Sequence, residues 1–158
     1  MKKFFITAAV AALFSTSVFA DGNKKAATKI EVSYTVVNEF NANFADAKNV
    51  IWTVTKDFQK ASFILNGVKT TAFYDRGGEF VAVTMNVDAK AIPAKAKTEI
   101  AEKYKGYDVA GVIVVQNNTE LNPDADETAY FVDLKSESKE ILVKISPSLH
   151  TEFYTEVK

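Results

Sequence analysis

The chain has 158 residues, a formal net charge of −1, no cysteine and a single histidine, His150. The missing cysteine removes disulfides, thiol catalysis and cysteine metal sites together. Apart from Arg76 the basic residues are lysines, scattered rather than gathered into a stripe, which argues against a nucleic-acid surface.

The chain opens MKKFFITAAVAALFSTSVFA. Lys2 and Lys3 precede a short apolar run, and Val18 and Ala20 stand where a signal peptidase reads compact side chains. The pattern predicts a secretory signal peptide over residues 1–20. The run falls short of the about 20 residues a bilayer core needs, so no membrane insertion is expected after cleavage. With no cysteine to carry a lipid, the mature chain is expected to reach the periplasm, or the outside, free of an anchor. Residues 21–32 form a polar lead.

A first helix is expected in SYTVVNEFNANF, with Ser33 as N-cap and Val37, Phe40 and Phe44 along one face. Four strand-like runs follow, at 50–55, 58–65, 68–75 and 79–87. Turn residues separate them: Lys56-Asp57, Asn66-Gly67 and Arg76-Gly77-Gly78. Asn-Gly is a strong hairpin signal because both residues tolerate positive φ. A second helix is expected after Pro93, which suits a first helical turn, with Ala96, Ile100 and Tyr104 as its stripe and Gly106 as its stop. Four more strands follow, at 109–116, 127–134, 139–146 and 150–157.

The order is therefore helix and four strands, twice. Phe44 corresponds to Tyr104 at the helix ends, and Asp75 to Ser146 at the ends of the third strands. The extra spacing of the second pair fits the loop NNTELNPDADE. This reads as an internal duplication, with repeats at 33–88 and 89–158. One continuous antiparallel sheet or two abutting sheets would serve, with both helices on one face. Gly77-Gly78 then matches Ser148-Leu149 and is a hairpin turn. It does not fit G-x-G-x-x-G, and no helix follows it to cradle a phosphate.

Alternation sorts the strand residues by face. Ala61, Phe63, Leu65, Thr70, Ala72 and Tyr74, with Tyr130, Val132, Leu134, Ile141, Val143 and Ile145, are expected under the helices. The other face would carry Phe58, Lys60, Ser62, Ile64, Thr71 and Phe73, then Leu142, Lys144, Glu152 and Tyr154, and is expected to be wet. Aromatic groups on a wet face suit a protein interface; they suit ordinary cross-strand packing as well. The anchors this suggests are Phe58, Phe73 and Tyr154. Trp52 is added to them, although strand 50–55 alternates too weakly to choose its face.

Little else in the chain carries chemistry. His150 lacks the partners of a zinc site or a catalytic triad and reads as a solvated strand residue. Asn122, Asp124 and Asp126 alternate like the first ligands of a calcium loop. Glu127 stands where such a loop needs glycine, and Asp133 where it needs glutamate, so the segment reads mainly as an acidic loop.

IPAKAKTEIAEKYKGYDVAGVIVV, followed by YFVDL and ILVKISPS, resembles the PepSY-like, β-lactamase-inhibitor-like family of secreted bacterial proteins. FNANFADAKNVIWTV and FILNGVKTTAFYDRGGEFVAV resemble the first half of the same family. The resemblance covers residues 33–158. It implies tandem helix-plus-four-strand repeats, kinship with an inhibitor whose sheet face grips its enzyme, and no catalytic residues. Leu149 departs from the family, which usually has glycine there, as at Gly78.

The sequence thus predicts an α+β fold: a tandem repeat of one helix plus a four-stranded antiparallel sheet, both helices on one sheet face. The expected function is a non-enzymatic, cofactor-free module that presents a sheet face to an unidentified protein in the periplasm or outside the cell. The alternative is a small-ligand or calcium-binding periplasmic protein.

Overall fold

The structure is a computed structural model, and it describes residues 32–157. The signal peptide at 1–20 and nearly all of the polar lead lie outside the described residues.

Helix α1 spans Tyr34–Asn43, with Ser33 at its N-cap. The Ser33 Oγ accepts from the Val36 N–H at 3.3 Å, satisfying one of the free donors of the first turn. Val36 and Phe40 face inward. The expected stripe is corrected by one position, because Val36 lies a full turn before Phe40 and takes the place given to Val37. Phe44 caps the C-terminus, its N–H bonding the Phe40 carbonyl at 2.8 Å. Helix α2 spans Ala94–Lys103 and buries Ala96 and Ile100. Pro93 is its N-cap rather than part of its first turn, and Tyr104 its C-cap. A short 3-10 turn at Ala89–Ala91, capped by Asp88, precedes α2.

The strands are β1 (Lys48–Val54), β2 (Gln59–Leu65), β3 (Val68–Tyr74), β4 (Phe80–Val87), β5 (Asp108–Asn117), β6 (Thr128–Lys135), β7 (Glu140–Ile145) and β8 (Thr151–Glu156). They form one eight-stranded sheet in chain order, antiparallel throughout. Of the two arrangements open from the sequence, the continuous sheet is the one found. The β2–β3 turn has Asn66 at φ 51° and Gly67 at φ 81°, both positive as a tight hairpin requires.

Both helices lie on one face. Thr70, Met85, Val114, Tyr130 and Ile145 stand in one cross-strand row, so alternation fixes their neighbours on the same side. Around α1 this face packs Ala61, Phe63, Ala72 and Tyr74. Around α2 it packs Val112, Val132, Leu134, Ile141, Val143 and Ile145.

The helices are also tied to hairpin turns. In the β3–β4 turn the Asp75 N–H bonds the Glu79 carbonyl at 2.9 Å, and the Asp75 side chain takes the Glu79 N–H at 2.9 Å. In the β7–β8 turn the Ser146 N–H bonds the His150 carbonyl at 2.9 Å, and the Ser146 Oγ takes the His150 N–H at 3.2 Å. Gly78 (φ 94°) and Leu149 (φ 64°) hold the same left-handed place in the two turns. A Cβ on Gly78 would meet Val36 Cγ2 of α1 at 3.2 Å.

At the second turn, Lys95 donates to the Ser148 carbonyl at 3.1 Å. Glu99 accepts from the Thr151 N–H at 3.2 Å and from Lys103, and lies 3.3 Å from His150 Nδ1. His150 is exposed, as expected, and stands just before β8 as a bridge between Glu99 and Lys95. The hydrogen bond from Lys103 holds the Glu99 carboxyl down at about 2, against an opposing effect of burial and with help from the Thr151 N–H.

The left-handed φ at Leu149 strains a branched side chain by about 1–2 kcal/mol, and glycine's own entropy returns only part of that. Leu149→Gly is therefore expected to raise stability by up to about 1 kcal/mol. Gly78→Ala should lower it by about 1–2 kcal/mol, since its Cβ adds the Val36 contact to the backbone strain. Urea unfolding of both variants checks the pair. Glu99 is depressed in the folded state, so its contribution is present above its unfolded value and is lost as the pH falls towards 2. Urea midpoints measured across that acid range should fall less steeply for Glu99→Gln than for wild type.

Candidate functional site

The helix-free face was expected to be wet, and the structure corrects this. Thr71 and Thr84 are buried, Phe73 is 7% exposed and Leu142 0%. Of the residues assigned to this face, only Glu152 is exposed; the others are buried or half-buried. The reason lies in β4, β5 and β6, which are apolar on both sides. They add Val81, Ala82, Ile113, Val115, Ala129 and Phe131, and these join Phe73 and Leu142 in a second apolar cluster.

Phe58, Leu121, Tyr154 and Val157 pack on that cluster while staying half-exposed. Phe58 stands edge-on to Phe73, ring centroids 6.0 Å apart, and Tyr154 edge-on to Phe131 at 4.8 Å. Three of the four expected anchors, Phe58, Phe73 and Tyr154, are thus brought together on one face. Trp52 is not. Its partner across β1–β2 is Ala61, which faces α1, and its ring sits 5.1 Å from Phe40 and 6.4 Å from Tyr74. A bulge in β8 between its pairings with Val143 and Leu142 lets Tyr154 lean over Phe131. Leu121 and Val157 were not anticipated. Leu121 had a readable signal, as the one large apolar residue in an acidic loop.

That loop, residues 118–127, is fixed by its ends. Asn118 bonds the Val81 carbonyl through its N–H at 2.8 Å and the Phe80 carbonyl through Nδ2 at 2.9 Å. Asn117 Nδ2 reaches the Asp126 carbonyl at 2.7 Å. The loop borders a shallow cleft of ≈ 390 Å³ floored by Val115, Ala129 and Phe131. Asn122, Asp124 and Asp126, the calcium candidates, all line it. The Asp126 carboxylate, however, holds Lys144 Nζ at 2.6 Å, so an ammonium already sits beside the oxygen a cation would take. Among the described residues no three acidic or histidine side chains converge as a metal cage.

The rest of the face mixes polar groups with Ile51 and Ile64. Ser62 and Thr71 share a hydrogen bond at 3.2 Å. Burial, then the charge of Lys69, pulls the Lys60 ammonium below its ordinary value. The face thus offers aromatic edges, hydroxyls and lysines over a broad sheet.

No protein-family model matches the sequence, and no curated protein sequence matches it. Solved structures with the same fold do exist. A BLIP-like protein from Bacteroides fragilis aligns with a TM-score of 0.65 at 14% identity, covering 81% of this chain and 90% of that one. A DUF2874 family protein from Bacteroides uniformis aligns at 0.66 and 17% identity, covering 78% and 90%. A protein described as periplasmic, from Bacteroides eggerthii, aligns at 0.66 and 16% identity, covering 79% and 91%. The chain therefore has the BLIP-like fold. This agrees with the inhibitor-like side of the resemblance; the PepSY side has no counterpart among these neighbours. Among the described residues no helix is long and apolar enough to cross a membrane.

Truncating a buried Phe73 removes a large core side chain, and Phe73→Ala is expected to cost about 3 kcal/mol. Tyr154→Ala, at a half-exposed rim position, should cost clearly less. Chemical denaturation of the two variants checks the order, and a reversed order would place Tyr154 inside and Phe73 outside.

Proposed function

We propose that the chain is a secreted or periplasmic, non-enzymatic protein-binding module, inhibitor-like in mode, whose helix-free sheet face docks on a partner protein. The observation that carries this reading is the half-exposed set Phe58, Leu121, Tyr154 and Val157, seated on a buried apolar cluster of one continuous sheet. Rigidly backed aromatic side chains bind at low entropic cost and dominate interface energies. The signal-like residues 1–20 support an extracytoplasmic location, as does the periplasmic description of a fold neighbour.

The reading includes two repeats, at 33–88 and 89–158. Matching N-caps at Ser33 and Pro93, C-caps at Phe44 and Tyr104, and left-handed turn residues at Gly78 and Leu149 support it. In this reading the second repeat differs chiefly by its long loop, which brings Leu121 to the docking face.

The test is retention of proteins from periplasmic extract on immobilised residues 21–158. A protein held by wild type and by Trp52→Phe should be lost from a folded Phe58→Asp/Tyr154→Asp variant. Retention that ignores the two face substitutions, or no retained protein at all, would count against docking through this face.

A further inference from the structure

Asp133 is a buried carboxyl that no docking contact explains. It lies on β6, on the helix-free face, and is 5% exposed. Across from it stand Gly111 on β5 and Leu142 on β7, neither of which has a polar side-chain atom. Its Oδ1 has no hydrogen-bond partner. A charged oxygen left this way is costly, because burial strips its hydration and no donor replaces it.

The charged groups facing it are few. On its own strand, Lys135 lies two residues on. On β7, Glu140 is the diagonal neighbour, across from Lys135. Lys135 pairs with Glu140 Oε2 at 3.4 Å and holds its side chain largely in solvent, so its charge goes to Glu140. On β5, Asp108 stands across from Lys135 and adds negative charge at the same end. On β8, Thr155 is across from Leu142 and brings no charge. Two or more acids thus share one lysine. Burial first, and then the charge of Glu140, pushes the Asp133 carboxyl up to about 6, with Lys135 opposing and a hydrogen bond with Glu140 adding to the rise.

We propose that Asp133 and Glu140 form a proton-binding site, in which a protonated Asp133 donates to the Glu140 carboxylate and ties the stability of the β6–β7 region to acidity. The proton does for the buried oxygen what no cross-strand neighbour can. Because Asp133 is raised in the folded state, the stabilisation is complete below its unfolded value, near the ordinary 3.8, and is lost as the pH rises through about 6. The sign is opposite to that of Glu99, whose effect lies at lower pH, so the two can be read separately. The site needs no partner, and it stands or falls independently of the docking reading.

The experiment is a carbon-detected NMR titration of the side-chain carboxyls on the whole mature chain, paired with thermal melts from pH 4 to 7.5. Asp133 is expected to titrate near 6, well above the exposed aspartates, and Glu140→Gln should move that midpoint down. Asp133→Asn should melt higher than wild type at pH 7.5 and lose the fall in melting temperature between pH 4 and 6.5. An Asp133 midpoint in the ordinary range near 4 would overturn the proposal. So would an unchanged pH slope in a folded Asp133→Asn. If that variant fails to fold, the wild-type titration and Glu140→Gln decide alone.

Discussion

Ala82 lies across from Asn117 and Val87 across from Val112, and everything else in the architecture follows from this antiparallel join of β4 to β5. Each half of the chain could form a four-stranded meander with a helix on one side. The join makes the two meanders one sheet, and its register decides that both helices share a face. A slip of one residue would turn every side chain of the second half over and carry α2 to the opposite side. The register is held by burial on both faces of these central strands: Val112 and Val132 on one side, Ala82, Ile113 and Val115 on the other.

A sheet that is apolar on both sides has consequences for function. The helices cover one side. On the other, apolar side chains close over one another and leave a rim of Phe58, Tyr154, Leu121 and Val157. The rim is held by a packed floor and its edges are fastened by side-chain bonds: the Thr55 hydroxyl takes the Phe58 N–H at 3.1 Å, and Lys144 reaches Asp126. Such a surface, held by its packed floor and its fastened edges, would lose little freedom on contact, as the proposed docking requires.

The helices serve the same rigidity from the other side. The Ser33 N–H donates to Gln59 Oε1 at 3.0 Å, while Gly78 lets the first turn approach α1 closely. In the second half, Glu99, Lys95 and Lys103 do with charge what Gln59 and Gly78 do with an amide and an absent side chain. The two solutions differ in their response to acid: the first has no ionisable group in the contact, and the second depends on a carboxylate. Asp133 adds a response of the opposite sign on the far side of the sheet.

The sequence by itself determined the local elements. Ser33 marked a helix start, Asn66-Gly67 a hairpin, and alternation marked eight strands and most of the helix-side core, because caps, tight turns and pleats are properties of a few neighbouring residues. The equivalence of Gly78 and Leu149 was legible for the same reason, being a matter of spacing alone. Tertiary structure decided what depends on register and layering. It chose one sheet over two, placed Trp52 under α1 by pairing it with Ala61, moved the first helix contact to Val36, and closed the supposedly wet face by bringing Val81, Ile113 and Phe131 beside Phe73. It also buried Asp133 directly across from Gly111 and Leu142, whose side chains have no polar atoms. Residues far apart in the chain create those environments, and alternation within one strand gives the parity of a side chain but never what stands across from it.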